Sequence, residues 1–163
     1  MKSLFTALFV LLSASVWAGS VSVENAYVRH MPPTQKVTGA FMLLKNSSPE
    51  DRAAVSAESD IADRAELHTH LHENGMMKMR QVEKIDIPAG GETALEPGGI
   101  HVMLIGLKQP LDLGQIVAIT LNFDDGSSTQ VQAEVKTVMG GMKMKDKPMD
   151  QKSMEHGGKA MTQ

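Results

Sequence analysis

The stretch HTHLHENGMMKMR, residues 68–80, predicts a β-hairpin with histidines on its first strand and methionines on its second. Asn74-Gly75 is typical of tight hairpin turns, and the flanking residues alternate as strands do. A four-residue loop would set His68 opposite Met79, whereas a two-residue loop would set His70 opposite Met79 and His68 on the adjacent diagonal. Either register gathers imidazole and thioether groups on one face.

The rest of the chain, on both sides of the hairpin, repeats this pattern of short β-rich runs separated by turn formers. The predicted strands are VSVENAYVR (21–29), TGAFMLLKN (38–46), RAAVSA (52–57), AELHTHLH (65–72), MMKMRQVEKID (76–86), HVMLIGL (101–107), IVAITLNF (116–123) and TQVQAEVKTV (129–138). Few windows have helical periodicity. The sequence therefore predicts an all-β fold, either an antiparallel β-sandwich or a Greek-key barrel.

A second histidine and methionine pair lies in GGIHVML, residues 98–104. Residues two positions apart on a strand share a face, so His101 and Met103 point the same way. If this strand approaches the hairpin, a set of two imidazoles and two thioethers could form: His68, Met79, His101 and Met103. Thioethers are soft and neutral and prefer Cu(I), while imidazole accepts either copper oxidation state.

The absence of cysteine narrows the chemistry further. Blue-copper electron-transfer sites need a thiolate, and no disulfide framework is available. The spacings of structural zinc and calcium sites are also missing. Binding and carriage of Cu(I) is the remaining prediction.

Other residues of the hairpin leave alternatives open. His70 and His72 share the face of His68 under strict alternation, so each is a ligand, a group that orients a ligand, or a solvated bystander, and we expect bystanders. Met76 and Met77 flank the turn and offer alternative thioethers during transfer. Methionine in a strand is most often core packing, which is the interpretation for Met42.

The two ends of the chain differ from the middle. Residues 1–18 carry Lys2, an apolar run and a Val16-Trp17-Ala18 cleavage pattern, which predict a secretory signal peptide. Residues 19–138 form the predicted domain, and residues 139–163 a flexible tail that keeps methionine while lacking Leu and Ile. The tail's candidate secondary metal ligands are Met139, Met142, Met144, Met149, Met154, His156 and Met161.

Composition excludes several classes of function. The net charge of −3 and scattered arginines give no basic stripe for nucleic acid. No apolar span after the leader is long enough for a membrane helix, so we expect a protein that is not membrane-embedded. We also expect a monomer and, in the absence of any defensible catalytic motif, no enzyme.

The spacing of His68, ten residues, Met79, twenty-one residues and then His101-Val102-Met103 resembles, without gaps, the H-x10-M-x21-H-x-M signature of the periplasmic PCu(A)C copper chaperones. The segments AELHTH, GMMKMR, IPAGG and LEPGGIHVMLIGLK are also similar to that family. The likeness covers most of the chain between the leader and the tail.

This resemblance implies a cupredoxin-like fold, a periplasmic location and Cu(I) bound through those four side chains. It also implies delivery to the copper-bearing subunit of a cytochrome c oxidase, with a Sco-type thiol protein as a further partner. For the tail it implies extra copper, including Cu(II) through His156. The alternative function is copper sequestration for tolerance, in which several ions load at similar affinity.

Overall fold

The computed structural model describes residues 20–73 and 75–138. The predicted signal peptide and the predicted tail, with all of its candidate ligands, lie outside these residues. Among the described residues the regular elements are strands, and no helix there is long and apolar enough to cross a membrane.

Ten strands follow one another in the part of the chain that the structure describes. They are β1 (Val21–Arg29), β2 (Val37–Asn46), β3 (Arg52–Glu58), β4 (Ala62–Glu73), β5 (Met76–Gln81), β6 (Ile85–Ile87), β7 (Glu92–Leu95), β8 (His101–Leu107), β9 (Ile116–Phe123) and β10 (Ser128–Lys136). The predicted all-β fold is confirmed.

Seven of these strands close into a barrel in the order β4, β8, β2, β1, β10, β9, β3 and back to β4. The closing contact between β3 and β4 is short and pairs Ala57 with Ala65. β1 and β10 run parallel, whereas the other neighbours are antiparallel. β5 extends the sheet beyond β4 and β6 extends it beyond β3, so β5 is an edge strand.

The structure differs from the predicted strands in two places. The run predicted over 76–86 divides into β5 and β6, because the chain leaves β4 after Gln81 and turns to pair with β3. β7 was not predicted, because its four residues lie between turn formers and lack a β-branched run. β7 pairs with the second half of β2, matching Met42 with Leu95.

The core fills the barrel with the inward alternate residues of its strands. Its largest fully buried side chains are Leu44, Ile85, Ile87, Leu104, Ile119 and Leu121, with Val28, Val102, Val117 and Val135. Met42 is also buried in this cluster, as predicted. Burial of such aliphatic side chains contributes roughly 1.5–3 kcal/mol each, so the fold is stabilised without disulfides.

One irregularity in the wall brings an aromatic row into position. β1 has a bulge between Glu24 and Tyr27, where Asn25 adopts a left-handed φ of 54°. Asn tolerates this conformation better than most residues. Beyond the bulge Tyr27 pairs with Phe41 of β2, and their rings lie 5.2 Å apart. Phe41 thereby covers the outer face of the barrel next to β8.

Candidate metal centre

The hairpin of β4 and β5 has a two-residue loop. Glu73 pairs with Met76 across the turn, and the register continues with His70 directly opposite Met79. Gly75 supplies the positive φ, 76°, that such turns require. Of the two predicted registers, the structure therefore has the one in which His68 is diagonal to Met79.

β8 lies on the other side of β4 and brings the second pair alongside. His68 pairs with His101, and Glu66 pairs with Met103. Because successive residues of a strand alternate, Val102 and Leu104 point into the core while His101 and Met103 point outward. The candidate site is consequently on the outer face of the barrel wall, beneath the hairpin.

A cleft of about 550 Å³ opens on this face. Its lining includes His70 and Met79 from the hairpin, His101 and Met103 from β8, and Phe41 and Gly39 from β2. Gly39 leaves room for the Phe41 ring, since a Cβ there would lie 3.0 Å from the ring's Cζ. Three of the four predicted ligands, Met79, His101 and Met103, are brought together here.

His101 is the most enclosed polar group of the cleft, only 3% exposed. Its ring lies 6.1 Å from that of Phe41. Burial is the main cause that lowers its pKa below the ordinary 6.5, with further lowering by His70, His68 and Arg29 against an opposing hydrogen bond to Gly99. Its Nδ1 donates to the Gly99 carbonyl at 3.1 Å. Nε2 of the neutral ring therefore keeps a free electron pair.

His68, the fourth predicted ligand, lies beside the cleft rather than in its lining. Its ring is 5.9 Å from that of His101. Its Nε2 donates to Glu66 Oε2 at 3.0 Å, and its buried Nδ1 has no hydrogen-bond partner. A histidine with one nitrogen held by a carboxylate and the other left free has the arrangement usual for metal ligands.

The hairpin residues with open roles are now placed. His70 lines the cleft, and its Nδ1 donates to the Gly99 carbonyl at 3.2 Å. Met77 also lines the cleft, whereas Met76 is exposed and does not. The side chain of His72 is outside the described part of the structure.

Sequence reasoning did not identify several groups around the cleft. Phe41 forms the wall beside His101. The Gly99 carbonyl orients two imidazoles, and Glu66 holds a third. Strand alternation could have found Glu66, which is two residues from His68, but a backbone carbonyl leaves no trace in side-chain patterns.

Histidines and carboxylates alone do not complete a centre. Within residues 20–73 and 75–138, no group of three or more His, Asp and Glu could hold a metal ion. The candidate donors are instead imidazole nitrogens combined with the thioethers of Met79 and Met103. This mixture has the soft character that suits Cu(I).

The fold and the candidate site together define the class of this protein: a closed cupredoxin-like barrel that carries imidazole and thioether groups on its outer wall. The LpqE-like family model matches residues 21–135. A protein of Leifsonia xyli subsp. xyli named as a lipoprotein is 38% identical over 124 residues, covering 76% of this chain and 74% of the relative. The chain belongs to the LpqE-like family.

Solved structures with this fold are PCuAC domains and their relatives. The solution structure of CuI-DR1885 from Deinococcus radiodurans is 39% identical, covers 76% of this chain and 83% of its own, and has a TM-score of 0.60. The copper-bound PCuAC domain from PmoF2 has a TM-score of 0.62 over 74% of this chain and 95% of that domain. At 19% identity, the second likeness shows the fold alone.

Proposed function

We propose that this protein is a copper carrier that binds one Cu(I) ion on the outer wall of the barrel and passes it to an acceptor. The proposed ligands are His68, Met79, His101 and Met103. The observation that carries this proposal is that Met79 of β5 lines one cleft with His101 and Met103 of β8, which is distant from β5 in sequence, and that His68 lies beside them. The 39% identity to a protein solved with Cu(I) supports the choice of ion.

The donor atoms are prepared for a soft, monovalent cation. Thioether sulfur needs no deprotonation, and a lowered pKa keeps His101 neutral, so neither must lose a proton to bind. His68 has a buried nitrogen with no partner in the protein, which an ion would satisfy. Arg29 also lines the cleft, and its positive charge disfavours Cu(II) more than Cu(I).

The two strands that carry the proposed ligands differ in how firmly they are held, and this difference suits capture and release of the ion. His101 and Met103 belong to a strand paired on both sides within the barrel, whereas Met79 is 42% exposed on the edge strand β5. In transfer, the Cu–S bond of Met79 would break as a donor of the acceptor binds, and His68, His101 and Met103 would hold the ion until further donors of the acceptor replace them one at a time. No free ion is released and no electron moves.

The proposed acceptor is the copper-bearing subunit of a cytochrome c oxidase, with a Sco-type thiol protein as a further partner. The proposed location is the periplasm, reached through the predicted signal peptide. Thiolates of such acceptors bind Cu(I) more strongly than thioethers do, which gives the transfer its direction. The role is carriage by a monomer and involves no catalysed reaction.

Anaerobic titration of the full chain with Cu(I) against a competing chelator tests the carrier function. Met103→Leu removes the sulfur and keeps the volume, so we expect it to weaken the tightest site by about tenfold or more. Met76→Leu is the matched control because Met76 is exposed and does not line the cleft. Equal affinities for the two variants would refute the proposed site.

Sequestration is the alternative, favoured by the methionines of residues 139–163. The same titration separates the two functions by stoichiometry. A carrier holds one ion in the cleft far more tightly than the rest, whereas a buffer loads several ions at similar affinity. Insensitivity of the total copper loading to Met103→Leu would favour the buffer.

A further inference from the structure

Three imidazoles lie close together on the outer wall, and His101 is near both of the others. The His68 ring lies 5.9 Å from that of His101. The His70 ring lies 5.2 Å from that of His101, with the two planes 30° apart. The proposed ligand set uses His101 and only one of its two neighbours.

One backbone oxygen holds both His70 and His101. The Gly99 carbonyl accepts from Nδ1 of His70 at 3.2 Å and from Nδ1 of His101 at 3.1 Å. A carbonyl can only accept, so both Nδ1 atoms carry a proton, and in the neutral rings both Nε2 atoms keep an electron pair. The shared oxygen orients the two rings alike and leaves the same nitrogen of each free to bind a metal.

His70 is also better placed than His68 with respect to the open cleft. It lines the cleft together with Met79, His101 and Met103 and pairs directly with Met79 across the hairpin. The His68 side chain is 14% exposed and tied to Glu66. An ion arriving from solvent thus meets a complete set of two imidazoles and two thioethers before it reaches His68.

We propose that His70 is a copper ligand of this site, interchangeable with His68. The inference rests on the proposed function and deepens it. Copper bound to His101 and Met103 has His70 as its second imidazole at the mouth of the cleft and His68 as its second imidazole in the enclosed position. Passage between the two breaks one Cu–N bond as the other forms, without a change of oxidation state or a proton transfer.

If His68 and His70 are interchangeable ligands, either imidazole can replace the other in binding Cu(I). Full-length His68→Ala, His70→Ala and the double variant are titrated with Cu(I) against a chelator, and binding in the cleft is followed by the Met103 methyl resonance of methyl-labelled protein. His30→Ala is the control, since His30 does not line the cleft. The methyl resonance separates the cleft from any copper bound elsewhere in the chain.

The expected result is that each single variant still shifts the Met103 resonance, with an affinity within about tenfold of the parent, while the double variant loses about 100-fold or more. A His70→Ala variant equal to the parent, with His68→Ala as weak as the double variant, would overturn the inference and leave the carrier function standing. A Met103 resonance that ignores Cu(I) in the parent protein would overturn both.

The ring nitrogens give a second readout that does not depend on affinity. On addition of one equivalent of Cu(I), we expect the Nε2 resonance of His70 to move while its Nδ1 stays protonated. His70 resonances that stay unchanged while those of His68 and His101 move would contradict the proposal. A mere structural support for the hairpin would not change the Nε2 resonance in this manner.

Discussion

At the scale of single residues, hydrogen bonds occupy different nitrogens in the three imidazoles in and beside the cleft. The Gly99 carbonyl occupies Nδ1 of His70 and His101, and Glu66 occupies Nε2 of His68. In the proposed site, His68 would therefore bind through Nδ1 and the other two through Nε2. These hydrogen bonds select the tautomer before an ion arrives, which lowers the cost of organising the site.

Glu66 is predicted to strengthen Cu(I) binding by holding the His68 ring in a fixed orientation. Glu66→Ala removes the acceptor of Nε2, so the ring loses its fixed orientation, and we expect Cu(I) affinity to fall by about tenfold. Chelator competition measures the change. Glu134→Ala is the control, because Glu134 pairs with Lys136 on β10. If both variants bind alike, Glu66 does not position the ligand.

The buried His101 predicts a pH dependence of stability in the metal-free protein. Its pKa is lowered in the folded state, mainly by burial, from the ordinary 6.5 that it regains on unfolding. Between those two values the unfolded chain binds more protons, so the free energy of unfolding falls as pH drops below 6.5 toward the folded pKa. Above 6.5 His101 contributes no slope.

Urea unfolding from about pH 7.5 to about pH 5 measures this dependence. We expect His101→Gln to lose part of the decrease, since the amide does not titrate. His30→Gln is the comparison, since His30 does not line the cleft. An unchanged pH profile in His101→Gln would show that other groups cause the whole decrease.

Residue chemistry also sets the limit of what the sequence predicts about the site. Spacing and softness identified Met79, His101 and Met103 as neighbours, because strand alternation and hairpin pairing are local rules. Those rules left two registers for the hairpin, so they could not decide between His68 and His70 opposite Met79. The roles of Phe41 and of the Gly99 carbonyl could not be predicted from the sequence, because they depend on contacts between strands distant in sequence.

At the scale of elements, β5 is the strand with the least support from neighbouring strands among those that carry candidate ligands. All six of its residues are exposed, and it pairs with β4 alone. β8, which carries His101 and Met103, is paired on both sides and supplies buried core residues. Copper bound to both strands would thus connect a loosely held edge to a firmly held wall.

Copper is therefore predicted to slow amide hydrogen exchange in β5 and to leave β8 little changed. The edge opens locally at low free energy in the metal-free protein, and a bond to Met79 raises that free energy. Exchange followed by mass spectrometry with and without one equivalent of Cu(I) tests this. Met79→Leu should abolish the protection, and equal protection in that variant would remove Met79 from the ligand set.

At the scale of the whole molecule, the barrel depends on pairings that the sequence pattern does not specify. Alternation located most strands and the all-β class, since burial of one face is written in each segment. The parallel pairing of β1 with β10 joins segments far apart in the chain, and the closing contact of Ala57 with Ala65 joins two consecutive strands through one short pairing. No local signal distinguishes a barrel closed in this way from two packed sheets.

A buried amide is predicted to stabilise the loops that follow β2 and β6. The Asn46 side chain, 2% exposed in residue terms, donates to the carbonyls of Glu50, Ile87 and Pro88 and accepts from Ser48. Asn46→Ala removes this buried network, although the carbonyls of Glu50 and Pro88 keep other donors. We expect a loss of about 2 kcal/mol in urea unfolding.

Asn122→Ala is the matched control for that loss. The Asn122 amide also donates to two side chains, Ser56 and Glu58, but these bonds are exposed to solvent. Its removal should cost no more than about 0.5 kcal/mol. Similar losses in the two variants would show that burial of the Asn46 network does not matter.

The alternation along β8 places two sets of side chains with different roles on one strand. Val102 and Leu104 face inward and belong to the core, while His101 and Met103 face outward and belong to the cleft. Substitutions of one set leave the other in place, so the metal specificity of the wall can change over evolutionary time, or by design, while the barrel beneath it stays the same.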